Sequence, residues 1–99
     1  DVEDLSMIHF EVLKKMILSN KSFEINCGMG RGHTVLEIIK KLENTTNKKI
    51  KKKFFKRRKG DIEEIVAKNN VLKKKINYKF KKDLKDSITT FVAWRKKIK

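Results

Sequence analysis

INCGMGRGHTVLEII, residues 25–39, decides how this chain is to be read: an alternating apolar stretch runs through a cluster of glycines into a helical pattern. In SFEINC (22–27), Phe23, Ile25 and Cys27 fall on one side and Glu24 and Asn26 on the other, the period of a strand. Past the glycines, Thr34 and Glu37 stand as T-x-x-E, a pair whose side chains satisfy the free backbone donors of a helix start. Val35, Ile38, Ile39 and Leu42 then form the stripe that helix would bury. A strand, a glycine turn and a helix invite a phosphate-binding loop, but the spacing opposes one. The dinucleotide fingerprint G-x-G-x-x-G needs its third glycine where helix and strand pack, and an acid about 20 residues later for the ribose. Here Gly28, Gly30 and Gly32 alternate and His33 takes the last place. Glycines that let the chain reverse through positive φ before Thr34 are the better account.

On the N-terminal side, Leu5, Ile8, Val12 and Met16, with Leu13 and Ile17 beside them, predict a helix over residues 5–18. On the C-terminal side, NTTNKK (44–49) breaks the pattern and IKKKFFK (50–56) resumes it as a second short strand carrying Phe54 and Phe55. A short helix is expected over residues 71–76, after two asparagines suited to capping. Leu84, Ile88, Phe91 and Ile98, flanked by Val92 and Trp94, predict a longer terminal helix. Helices between strands favour an α/β fold, with about four helices and two short strands in one small domain.

The 99 residues are 38 % apolar and 39 % charged, against about 45–50 % and about 25 % in ordinary soluble domains, so the core must be thin. The chain enters at Asp1 directly on an amphipathic pattern and is expected to be a piece of a longer protein. A single cysteine, Cys27, excludes an internal disulfide and fits a reducing, cytoplasmic setting. No apolar run approaches the ~20 residues of a membrane span and no signal-peptide pattern opens the chain. The net charge of +15 admits a small basic nucleic-acid-binding module, because each phosphate neutralised releases counterions. The cations are mostly lysine, however, and although they crowd in KKIKKKFFKRRK (48–59) they occupy every segment, leaving no clean stripe to follow a backbone. No nucleic acid is therefore the expected partner.

Two further constellations carry chemistry. Tyr78 and Lys82 match Y-x-x-x-K, in which a lysine lowers a tyrosine's pKa for proton transfer, but NYKFKKD (77–83) lies between helical patterns and lysine is abundant enough to supply the match by accident. In RRKGD (57–61), Arg57 and Arg58 offer planar forks for phosphate oxygens, Asp61 can accept from sugar hydroxyls, and Gly60 allows the tight turn that brings them together. The competing account is a surface ion pair between Asp61 and Arg58, worth little energetically. A nucleotide site further requires that both groups open into a common hollow.

The order DVEDLSMIH (1–9), EINCGMGRGHTVLEIIKKLE (24–43), FFKRRKGDIEEI (54–65) and WRK (94–96) resembles the C-terminal part of the UDP-glucose 4-epimerases, extended short-chain dehydrogenase-type enzymes. Members carry V-x-D-L-x-x-x-H, N-x-G-x-G-x-G-x-[ST]-V-L-E, R-R-x-G-D and a terminal tryptophan, in chains several times longer. The resemblance implies that residues 1–99 are the substrate-binding lobe, with the NAD-binding Rossmann domain and the Tyr/Lys pair outside the segment. It implies that Arg58, with Arg57 beside it, meets the diphosphate of UDP-glucose or UDP-galactose and that Asp61 meets the ribose. Ile65 would line the sugar pocket where members usually carry tyrosine or cysteine, leaving open the choice between plain and N-acetylated hexoses. The implied reaction is epimerisation at C4 through a transient 4-keto sugar with bound NAD, in a parent that can be a homodimer; the segment alone is expected to be inactive. VAKNNVL (66–72), where members usually have A-D and a capping segment, and Tyr78, where they usually have tryptophan, depart from the pattern.

Overall fold

The computed structural model describes residues 1–98 and contains four helices: α1 (Val2–Ser19), α2 (Val35–Thr46), α3 (Asn70–Lys75) and α4 (Leu84–Lys97). Each long helix starts where a polar side chain relieves its orphan N–H groups. Asp1 accepts from the Glu3 N–H at the head of α1. At α2 the expected capping box forms: Thr34 Oγ1 accepts from the Glu37 N–H at 3.1 Å, and Glu37 Oε2 accepts from the Thr34 N–H at 3.3 Å. Asp83 and Asp86 form a second box at α4, with the Asp86 N–H donating to Asp83 at 2.8 Å. That bond, foremost among several, holds the Asp83 carboxyl below its ordinary pKa. Asn20 and Asn47 end α1 and α2 in the left-handed region, at φ 53° and 54°.

The helices match the periods read from the sequence, and the two strands do not form. Among the described residues no backbone ladder exists over 22–27 or 50–56. A strand's N–H and C=O groups need a neighbouring strand to face, and neither segment has one within this chain. The alternation survives in part: Phe23 and Ile25 are half-buried while Glu24 and Asn26 are exposed, but Cys27, expected on the inner side, is exposed. Phe54 and Phe55, by contrast, stand about four-fifths exposed, at 78 % and 80 %. The asparagine at the start of α3 also departs from expectation. Asn69 occupies the N-cap position but makes no side-chain capping bond.

Ile8 of α1, Leu72 of α3 and Ile88 of α4 are the buried apolar side chains, and α2 packs on α4. Next to Ile8 on the inner face of α1, Asp4 is buried and fully engaged. It accepts from the Tyr78 hydroxyl at 2.7 Å and from the Lys81 and Lys82 N–H groups at 3.0 and 2.9 Å. Burial pushes the Asp4 carboxyl up, but those hydrogen bonds together hold it below the ordinary value. On the opposite flank of α1, Phe10, Leu13 and Ile17 form a second apolar stripe that is exposed. The accessible surface is 9300 Å², where a folded 11.7 kDa monomer should expose about 5,900 Å². The radius of gyration, 17.3 Å, likewise exceeds the ~13 Å of a self-contained domain of this length.

Candidate functional site

The RRKGD turn is built by its glycine. Gly60 sits at φ +88° with open space around its missing side chain, and the Asp61 N–H donates back to the Arg58 carbonyl at 3.3 Å. The bend brings Arg58 Nε to 3.3 Å from Asp61 Oδ2, and Arg57 Nη2 donates to the Asp61 carbonyl at 3.4 Å. Arg57 Nη1 also approaches Glu63 Oε2, at 3.9 Å. Arginine and acid are therefore juxtaposed as the spacing predicts. Among the described residues the Arg58–Asp61 bond uses Nε alone, so the two Nη groups and a carboxylate oxygen remain available to a ligand.

Among the described residues, however, no common hollow opens between the two groups. Arg58 is 87 % exposed along its side chain, Ile65 is exposed, and concavities of about 130–370 Å³ elsewhere in the fold are lined by other residues. A hollow needs a facing wall, and residues 57–65 all lie on the exposed side of the fold. As it stands the pair is a solvated ion pair, a contact worth about 0.2–1 kcal/mol.

The glycine run is occupied by protein. A Cβ on Gly28 would meet the Ala67 Cβ at 3.1 Å, one on Gly32 would meet Val66 Cγ2 at 2.9 Å, and one on Gly30 would meet the Asn69 amide at 3.0 Å. Positive φ accounts for Gly30 alone, at +78°. At the other two, segment 66–69 lies close enough that an added Cβ would force a shift, which corrects the expectation that chain reversal explains all three. Asn69 completes this seam by donating from Nδ2 to the Gly28 carbonyl at 3.2 Å.

Tyr78 and Lys82 form no catalytic pair. The hydroxyl donates to Asp4, while Lys82 Nζ lies 3.7 Å from Glu3 Oε2. The bond to Asp4 raises the Tyr78 pKa, the wrong direction for a general base. Among the described residues no group of three or more His, Cys, Asp or Glu side chains could hold a metal, and no helix is long and apolar enough to cross a membrane. Asp4 and Asn69, the two buried polar side chains, were not among the candidates read from sequence. Asp4 carried one local signal, its place four residues before Ile8 on the apolar face of a helix.

No family model matches the chain. It is 30 % identical over 94 residues to a UDP-glucose 4-epimerase of Bacillus subtilis (strain 168), an alignment covering 95 % of this chain and 28 % of that protein. It is 36 % identical over 81 residues to UDP-glucose 4-epimerase GEPI48 of Cyamopsis tetragonoloba, covering 81 % of this chain and 23 % of that one. In three dimensions it superposes with a TM-score of 0.90 and 29 % identity on a UDP-glucose-4-epimerase from Stenotrophomonas maltophila, solved with bound NAD and formylated UDP-arabinopyranose. That likeness covers 98 % of this chain and 29 % of the other. The chain thus spans less than a third of the length of the relatives it matches. The comparisons lend no support to a nucleic-acid-binding module. In sequence and in fold, the chain is a relative of the C-terminal part of the UDP-glucose 4-epimerases.

Proposed function

We propose that this chain is the substrate-side lobe of an NAD-dependent UDP-hexose 4-epimerase, acting on UDP-glucose and UDP-galactose, and that it binds the UDP end without catalysing the reaction alone. The observation that carries the reading is the structural match, a TM-score of 0.90 to an epimerase holding NAD and a UDP-sugar. Two features of the chain support it. Its surface exceeds that of a self-contained domain by roughly 3,400 Å², the excess expected of a lobe that packs against more protein. The turn at residues 57–61 presents a guanidinium fork beside a carboxylate, the chemistry a nucleotide diphosphate and its ribose require.

NAD does not fit the glycine run of this chain, because Gly28, Gly30 and Gly32 lack the dinucleotide spacing and face segment 66–69. The cofactor and the proton-transferring pair belong, in this reading, to the remainder of the enzyme. Arg58 and Arg57 then hold the diphosphate, Asp61 accepts from the ribose hydroxyls, and Ile65 borders the hexose once the second lobe supplies the facing wall. Segments 22–27 and 50–56 become strands against that lobe.

Calorimetric titration of the intact enzyme with UDP tests the assignment. Arg58→Ala should weaken UDP by about 10- to 100-fold, the loss of charged hydrogen bonds worth about 1.5–3 kcal/mol. An unchanged affinity would remove Arg58 from the site.

A further inference from the structure

Among the described residues the RRKGD turn makes no hydrogen bond or ion pair of its own to a helix, and its position is set by what lies on either side. Upstream, the Ile50 N–H donates to Glu43 Oε1 on α2 at 3.0 Å, and Lys52 Nζ lies 3.7 Å from the same oxygen. Seven residues separate Ile50 from Arg58. Downstream, the hold is nearer. Only four residues separate Asp61 from Val66, where segment 66–69 presses on Gly28, Gly30 and Gly32. Asn69 locks that seam. It is 7 % exposed, and although asparagine is a favoured N-cap residue, its amide leaves the head of α3 uncapped and reaches Gly28 instead, 41 residues away in sequence.

We infer that Asn69 is a positioning residue for the UDP site: its amide clamps the glycine run and thereby fixes where Arg58 and Asp61 stand. The inference rests on the reading of the turn proposed above. A side-chain amide suits the task because the Gly28 carbonyl needs a donor, and Gly30 leaves room for the amide only by lacking a Cβ. Sub-ångström placement of a guanidinium fork matters most where it forms two directional bonds to one ligand.

The test is a double-mutant cycle in the intact enzyme. Asn69→Ala should weaken UDP about fivefold, which corresponds to one hydrogen bond of about 1 kcal/mol. KM for UDP-glucose should rise by the same factor with kcat unchanged, because contacts to the UDP end are equal in ground and transition states. In an Arg58→Ala background the same change should cost clearly less, because only the placing of Asp61 remains to be lost. Asn69→Asp, which keeps the shape but turns an acceptor toward the Gly28 carbonyl, should weaken UDP at least as much. Equal losses in both backgrounds, or a lowered melting temperature with unchanged KM, would overturn the positioning role and leave a purely structural one. Amide exchange over residues 61–66 separates the two ways of failing. Exchange that Asn69→Ala leaves unaltered overturns the clamp, whereas faster exchange combined with UDP affinity indifferent to Arg58→Ala supports the clamp and overturns the assignment of the turn to UDP.

Discussion

Asp4 holds together parts of the chain more than seventy residues apart, and it does so as an anion. Three donors converge on it, two of them backbone N–H groups just before α4. Because its folded pKa is depressed, its contribution to stability is complete above the ordinary carboxylate range and disappears as pH falls through the folded value. Tyr78 runs the other way, since its raised pKa means that its contribution is complete below the ordinary phenol value and is lost at higher pH. Circular dichroism against pH should therefore show helix loss on acidification below about pH 4. Asp4→Asn should cost about 1.5–3 kcal/mol at neutral pH and flatten the acid limb, because an amide presents its own N–H groups to donors. An acid limb indifferent to that substitution would take Asp4 out of the fold's pH response. Asp4 stands in the V-x-D-L-x-x-x-H stretch, but its role, like that of Asn69, could not be read from sequence, because each is defined by partners distant along the chain. RRKGD could, because Gly60 closes its contact within five residues.

Among the elements, α2 shows how far local chemistry carries. The Thr34–Glu37 box was legible because both partners lie within one turn, and it forms as expected. Thr34→Ala should cost about 1 kcal/mol, read as a lowered midpoint in urea with little change of slope; an unchanged midpoint would mean that packing on α4 alone sets the start of the helix. The strands at 22–27 and 50–56 do not form within this chain, for a physical reason. Period 2 reports which side of a segment is apolar, and Phe23 and Ile25 keep that alternation, but a ladder requires a second backbone that period cannot reveal. The glycine run was half legible. Its spacing correctly argued against a dinucleotide loop, while the close approach of Val66 and Ala67 that demands two of its glycines is a property of the fold.

For the whole molecule, the core is as thin as composition anticipates, since the buried apolar side chains among the described residues are Ile8, Leu72 and Ile88. The exposed stripe of Phe10, Leu13 and Ile17 on α1 opposes the buried side, so this helix is apolar on two flanks, the pattern of an element packed between layers. The isolated chain should bind a hydrophobic dye and self-associate, and Leu13→Lys with Ile17→Glu should reduce both while the helix signal remains. Dye binding unaffected by the pair would place the adhesive surface elsewhere on the molecule.

In the site proposed above, the bond between Arg58 and Asp61 serves as a placeholder. Each group holds its partner's orientation through an interaction so weak that an arriving diphosphate, with charge-assisted bonds to offer the same fork, displaces it at small cost. The carboxylate released from the guanidinium is then free to turn toward a hydroxyl, so engagement at one end of a nucleotide would ready the other.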